Sequence, residues 1–219
     1  MAILYGNFLR FILIAAITSS TLWACDSLLI NNPSPQSNPL EITPLPSAPP
    51  VVTKDIEPER TPDAPYLQTP QEVVLKMLEM AKVGKNDLVY DLGSGDGRIV
   101  IAVAQKFGAK AIGIEIDPEL IRESDRESKL AIAKTPEIRD RIKFIKQDLF
   151  KTDLRNATVI TLYLSSQANQ RISSEILPKL KSGTRIISHE YGLADLPPNQ
   201  TEKIKVGDRE HIIYLYILD

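Results

Sequence analysis

Three glycines at alternate positions, Gly93, Gly95 and Gly97, follow the run Val89-Tyr90-Asp91-Leu92 and precede Arg98-Ile99-Val100. The apolar run that ends in an acidic residue reads as a strand. The apolar spacing after Gly97 reads as a helix. A strand that passes through a glycine-rich turn into a helix builds a pocket for a nucleotide-like ligand. Glycines allow the tight turn and the close approach of a ligand because they carry no Cβ.

The details of the turn select among ligands. A dinucleotide fingerprint requires Gly-x-Gly-x-x-Gly. Here the third glycine arrives one residue early, at Gly97, and Arg98 stands at the fingerprint's last glycine position. Asp91 lies at the mouth of the loop, where a carboxylate repels a pyrophosphate but suits a ligand carrying an ammonium and a sulfonium. Glu115 ends the next apolar run, Ala111-Ile112-Gly113-Ile114, at the place where a carboxylate accepts from ribose hydroxyls in doubly wound folds. Asp148 follows Ile142-Lys143-Phe144-Ile145 and is placed to bond an adenine amino group.

With these residues in view, the chain resembles the class I methyltransferases that use S-adenosylmethionine. The matching segments are Asp91 to Gly97, Gly113-Ile114-Glu115-Ile116-Asp117-Pro118 and Gln147-Asp148-Leu149-Phe150, with Leu180-Lys181-Ser182-Gly183-Thr184 before a later apolar run. The resemblance spans roughly residues 65–217, and three motifs in the right order make it specific. It is narrower at Pro65-Tyr66-Leu67-Gln68-Thr69-Pro70, at residues 90–101 and at Ala157 to Leu164. These segments resemble a group of small methyltransferases that includes mitochondrial, membrane-anchored protein-lysine methyltransferases and bacterial relatives. The chain departs from that group at Leu67-Gln68 and Ser165-Ser166, where Val-Pro and Leu-Pro are usual. The resemblance implies S-adenosylmethionine as cofactor and N-methylation of a lysine on a protein. It implies cofactor contacts at Tyr66, Thr69, Asp91, Gly93, Ser94, Gly95, Gly97, Glu115, Asp148 and Leu149, and an acceptor-site candidate at Tyr163. The alternative function is a membrane-tethered protein that binds S-adenosylmethionine without turnover.

The rest of the domain alternates strands and helices. Thr69-Pro70-Gln71-Glu72 reads as a helix start with the threonine hydroxyl at the N-cap, and Val73, Val74, Met77, Leu78 and Ala81 recur at helical spacing. Strands are expected at 88–92, 111–116, 142–145, 158–164 and 184–188, and helices at 97–107, 118–134 and 167–180. Leu120, Ile121 and Leu130 are the expected apolar contacts of the second of these helices, and Pro178 should bend the third. The runs 202–206 and 211–218, joined by Gly207-Asp208, read as an antiparallel hairpin. The expected fold is α/β: a Rossmann-like, doubly wound, mainly parallel sheet closed by that hairpin. The resemblance implies seven strands.

Several residues carry two readings. Asp117, before Pro118, serves as a helix cap or a ligand contact. Asp96 is solvated at the loop tip or faces the ligand. Tyr66 and Thr69 are an aromatic contact and a helix cap, or touch the cofactor. Tyr163 is an acceptor-site or a rim tyrosine. His189 and Glu190 end a strand where a general base is possible, or His189 is structural; His211 reads as a strand residue without chemistry.

A formal net charge of −2 gives no electrostatic case for nucleic acid. The single cysteine, Cys25, excludes an internal disulfide and a cysteine-cluster metal site. Two histidines read as too few and too dispersed for zinc, so no metal is expected. Residues 11–24 are largely apolar and uncharged, shorter than the ~20 residues that span a bilayer, and fit a signal-peptide core. Leu22-Trp23-Ala24-Cys25 resembles a bacterial lipobox; a short uncleaved anchor is the alternative. Residues 26–65 read as a disordered tether, since the stretch 31–65 holds ten of the sixteen prolines and has no amphipathic period. Residues 66–219 then form the methyltransferase domain, read as a monomer attached to a membrane through its N-terminus. Arg10, before the apolar segment, favours an exported domain, whereas the cofactor is made in the cytosol.

Overall fold

The computed structural model describes residues 66–219; the signal or lipobox segment 1–25 and the tether 26–65 lie outside the described residues. The first helix, α1 (Gln71–Met80), presents Val73, Val74, Met77 and Leu78 to the core, each fully buried. Its cap position is Pro70, with no side-chain cap bond, so the expected Thr69 cap is not made. The Thr69 hydroxyl is directed elsewhere, as described below.

Strand β1 (Leu88–Leu92) lies mid-sheet, hydrogen-bonded in parallel to β2 (Lys110–Glu115) and β4 (Val159–Leu162). Beyond them lie β3 (Ile142–Lys146) and β5 (Arg185–His189), both also parallel. The closing hairpin is β6 (Gln200–Val206) and β7 (Arg209–Ile217). Strand order is β3-β2-β1-β4-β5-β7-β6, so β7 inserts antiparallel between β5 and β6. This is the expected seven-stranded, mainly parallel sheet. Successive side chains of one strand face opposite layers: Val159 and Ile187 join α1 in one apolar cluster, and Ile160 and Ile186 join the other. Both faces are therefore covered, as a parallel sheet requires.

The helices show where local pattern fell short. Helix α2 (Arg98–Ala102) continues through a wider helical turn over Val103–Phe107, and Gly108 ends it with φ +63°. Helix α3 (Pro118–Lys134) begins as expected at Asp117, whose side chain accepts from Glu119 N at 2.7 Å. Its buried residues are Ser124, Ser128 and Ala131, while Leu130 is 53% exposed and Leu120 and Ile121 are only half-buried. Close approach selects small residues. The Ser124 and Ser128 hydroxyls donate to Ile121 O and Asp125 O, which satisfies them inside the packed layer. The expected single helix over 167–180 is instead α4 (Ser166–Arg171), a wider turn over Ile172–Ile176 and a tight turn over Leu177–Lys179. Pro178 has no N–H to continue the regular ladder.

Strand β4 ends at Leu162, two residues earlier than the apolar run suggests. Thr158, just before it, donates to Asp87 at 2.7 Å and accepts from Leu88 N at 2.9 Å, and Arg185 also pairs with Asp87. These contacts tie the starts of β1, β4 and β5, and the register sets Leu92 beside Ile114 and Leu162, so that β1, β2 and β4 end close together at the opposite edge. The order runs outward from β1 in one direction through β2 and β3 and in the other through β4 and β5, so a crevice opens between the ends of β1 and β4.

Candidate functional site

A cavity occupies that crevice. Asp91, Gly93 and Ser94 line its floor, Glu115, Asp117 and Asp148 one side, and Tyr66 to Thr69 and Tyr163 the other. Leu149 lines it as well. The structure therefore brings nearly every residue marked in the sequence to one place; Gly95 and Gly97 shape the loop just behind the lining.

Local geometry explains each placement. Gly93 and Ser94 donate to Ile114 O at 2.9 and 3.0 Å, which lays the loop onto β2. Gly93, Gly95 and Gly97 all have positive φ (76°, 54° and 81°). A Cβ at Gly95 would strike the Tyr66 ring, and one at Gly93 would lie 2.8 Å from Leu164 Cδ2. The Ser94 hydroxyl lies against Gly113, 2.6 Å from where a Cβ would stand, and has no hydrogen-bond partner among the described residues. Ser94 therefore meets the cavity through the loop it belongs to, with its hydroxyl turned to the strand beneath.

Glu115 does more than end a strand. One oxygen accepts from Gly95 N at 2.9 Å, the other from Ile116 N and Asp117 N at 2.7 and 3.0 Å. It clamps the glycine loop while its carboxylate borders the cavity. Asp148 accepts from Phe150 N at 2.9 Å and is likewise fixed at the cavity wall. Asp117 both caps α3 and lines the cavity, so its two readings coexist.

Asp91 is 3% exposed and accepts from Thr161 Oγ1 at 2.6 Å. Burial pushes its carboxyl up to about 7 against the Thr161 hydrogen bond, with Glu115 and Asp96 adding to the rise. Asp96 is buried rather than solvated: burial alone would raise its pKa, but its bonds to Arg98 prevail and hold the carboxyl below the ordinary range. Arg98, marked in the sequence only as a departure from a fingerprint, also donates to Thr69 O at 2.9 Å. It ties the arm 66–69 to the glycine turn.

Tyr163 lines the cavity just past β4, its ring 4.1 Å from that of His189. Burial raises its phenol pKa. The two histidines are not dispersed. His189 Nε2, His211 Nδ1 and Glu190 Oε1 all lie within 4.8 Å of one another, because β7 pairs directly with β5. The signal that brings them together is the strand order, which no local motif carries.

The cavity fits S-adenosylmethionine on its own chemistry. Asp91, Asp96, Glu115, Asp117 and Asp148 all line the cavity, a set of carboxylates that favours cationic groups over a pyrophosphate. Glu115 ends β2, where a carboxylate bonds a ribose in doubly wound folds, and Asp148 lines the cavity two residues past β3.

Comparison with known proteins agrees. The family model for the ANTKMT methyltransferase domain matches residues 91–200. A protein-lysine N-methyltransferase of Saccharolobus islandicus is 40% identical over 158 residues, 72% of this chain and 95% of its own. The adenine nucleotide translocase lysine N-methyltransferase of Mus musculus is 27% identical over 134 residues, 61% of this chain but only 56% of the mouse protein. Among solved structures, an RNA methyltransferase of Salinibacter ruber in complex with S-adenosyl-L-homocysteine is 37% identical, covers 69% of this chain and 94% of its own, and superposes with a TM-score of 0.62. These matches support a transferase rather than a binding protein without turnover. The chain belongs to the ANTKMT methyltransferase-domain family of class I, S-adenosylmethionine-dependent methyltransferases.

Proposed function

We propose that this methyltransferase N-methylates lysine side chains of proteins. The observation that carries the reading is the 40% identity to a protein-lysine N-methyltransferase across 95% of that relative. The geometry supports it. Bound S-adenosylmethionine supplies a methyl group on a sulfonium that is already a good leaving group. What remains for this chain is to bind, orient and exclude water. Asp91, Glu115 and Asp148 would hold the cofactor, and the Tyr66 ring packs against the glycine loop at Gly95. Tyr163 and Leu164 form an aromatic and apolar wall where an amine can shed water. Such desolvation lowers an amine's pKa and favours the neutral nucleophile.

The Salinibacter relative, an RNA methyltransferase, makes RNA the competing acceptor; a net charge of −2 speaks against it. Full-length protein incubated with labelled S-adenosylmethionine, separate protein extract and total RNA is expected to label protein. Hydrolysis should return the label as methyl-lysine. Label confined to nucleotides would overturn the reading.

We also propose that the enzyme, a monomer, is membrane-associated through residues 1–25, with Cys25 as the lipid attachment point. The apolar stretch and the lipobox-like Leu22-Trp23-Ala24-Cys25 support this. Mass spectrometry of the membrane fraction is expected to show a lipidated chain beginning at residue 25. Cys25→Ser should leave a longer precursor. An unmodified, intact N-terminus on the wild-type protein would reject lipidation and favour a plain anchor.

A further inference from the structure

Behind the cavity wall runs a buried hydrogen-bonded chain that cofactor binding and acceptor desolvation, as described, do not require. His189 ends β5 and is fully buried. Its Nδ1 is 3.2 Å from Thr69 Oγ1, and its Nε2 is 3.0 Å from His211 Nδ1. That same His211 nitrogen is 2.8 Å from Glu190 Oε1, and Arg209 bonds this carboxylate at 3.1 Å. Glu190 holds φ at +65°, a conformation that non-glycine residues adopt rarely and that clusters at functional sites.

The proton positions in this chain follow from its ends. Glu190, ion-paired with Arg209, can only accept. His211 Nδ1 must therefore carry a proton, since two lone pairs at 2.8 Å would repel. His189 Nε2 faces that same proton and so presents its lone pair. Burial, with His211 and Arg209 close by, pushes His189 down to about 3, so its ring is neutral and carries one proton. That proton sits on Nδ1 and is donated to Thr69 Oγ1. The Thr69 hydroxyl, its oxygen already accepting, is left with its own hydrogen to give to the cavity it lines.

A ligand carboxylate needs such a donor here. Among the described residues, Asp91, Asp96, Glu115, Asp117 and Asp148 all line the cavity, against a single basic side chain, Arg98. Arg98 is already spent on Asp96 and Thr69 O. We propose that Glu190, His211 and His189 are positioning residues that orient the Thr69 hydroxyl as a donor to the α-carboxylate at the methionine end of the cofactor. The inference rests on the S-adenosylmethionine reading and deepens it. Asp91 receives the ammonium and Thr69 the carboxylate, so the amino-acid end is held by a pair of opposite sense.

Three measurements on the full-length protein test this. Nitrogen-15 NMR of histidine-labelled protein should find His189 protonated at Nδ1 and bare at Nε2, with His211 protonated at Nδ1. A His189 protonated at Nε2 alone overturns the proposal. So does a stoichiometric zinc ion lost on His211→Ala, because the metal would replace the proton that fixes the chain. Calorimetry then compares S-adenosylhomocysteine with 5′-methylthioadenosine, which lacks the amino-acid end. Thr69→Val should weaken the first by about tenfold or more, the size of one hydrogen bond to a charged group, and leave the second within about twofold. His189→Leu should behave like Thr69→Val. His189→Asn keeps a donor nitrogen near the Nδ1 position and should restore most of the preference. Equal weakening of both ligands would mean a merely structural role and overturn the proposal. An unchanged preference in Thr69→Val that accompanies normal wild-type binding overturns it too. If the wild-type protein binds neither ligand, the cofactor reading itself fails, which is a separable result.

Discussion

Replacing Asp91 with alanine is expected to weaken S-adenosylhomocysteine binding at least tenfold, whereas Asp117→Ala should change it by less than about threefold; a charge-assisted hydrogen bond contributes about 1.5–3 kcal/mol. Asp91 is buried at the end of β1, with Thr161 as its hydrogen-bond partner. Asp117 spends its side chain on capping α3, so its loss should appear mainly as about 0.5–2 kcal/mol of stability. The wild-type protein should also show a pH signature. With its carboxyl pushed up to about 7, free Asp91 is protonated on the acid side of that value and must release the proton to meet an ammonium. Affinity should therefore rise as pH increases through about 7, and Asp91→Ala should flatten the profile. Stability of the free protein runs the other way. Between the ordinary carboxylate value of 3.8 and about 7, the folded chain holds a proton that the unfolded chain has lost. Asp91 therefore lowers the stability of the free protein progressively as pH rises across that window. Equal, small effects of the two substitutions on calorimetric affinity would remove Asp91 from the cationic end of the ligand.

The second large effect is expected from Gly97→Ala, with Gly183→Ala as its control. Both glycines hold nearly the same left-handed backbone, φ +81° and +80°. A Cβ at Gly183 meets nothing within 4 Å. At Gly97 it would collide with Phe144 Cζ and lie 2.8 Å from Cε1 and 3.0 Å from Ser124 Cβ. The backbone term costs about 1–2 kcal/mol at each site. Overpacking adds about 1–3 kcal/mol at Gly97 alone. The Gly97 variant should thus lose about 2–5 kcal/mol, or about 4–20 °C in Tm for a domain of this size. Thermal and urea denaturation of both variants would measure the difference. Matched losses would show that Phe144 moves aside freely and that only the backbone conformation matters.

Much of the site was legible because its chemistry sits where local patterns end. Asp91, Glu115 and Asp148 each follow an apolar run, and in a parallel sheet the ends of such runs lie at one edge. What escaped the sequence depended on partners far along the chain. Thr69 has the residue type and neighbours of a helix cap, yet His189, 120 residues away, claims its hydroxyl. His189 and His211 look unrelated until β7 is placed beside β5. Leu130 has the right spacing to face inward, but α3 approaches the glycine turn so closely that serine and alanine fill that face. Arg98 shows the same limit: its value lies in reaching Thr69 O, a contact that no spacing rule announces.

The insertion of β7 between β5 and β6 gives the domain a direction of mechanical weakness. A pull applied beyond Ile217 acts on a strand hydrogen-bonded along both edges, with Ile213 and Tyr216 anchored in opposite apolar layers. A pull applied ahead of Tyr66 meets first an arm held by a few side-chain bonds, and then a helix that can be peeled away turn by turn. An unfolding machine or a stretching experiment should therefore find the molecule stubborn from one end and compliant from the other. From the compliant end, the arm 66–69 that lines the cavity would be the first part to leave.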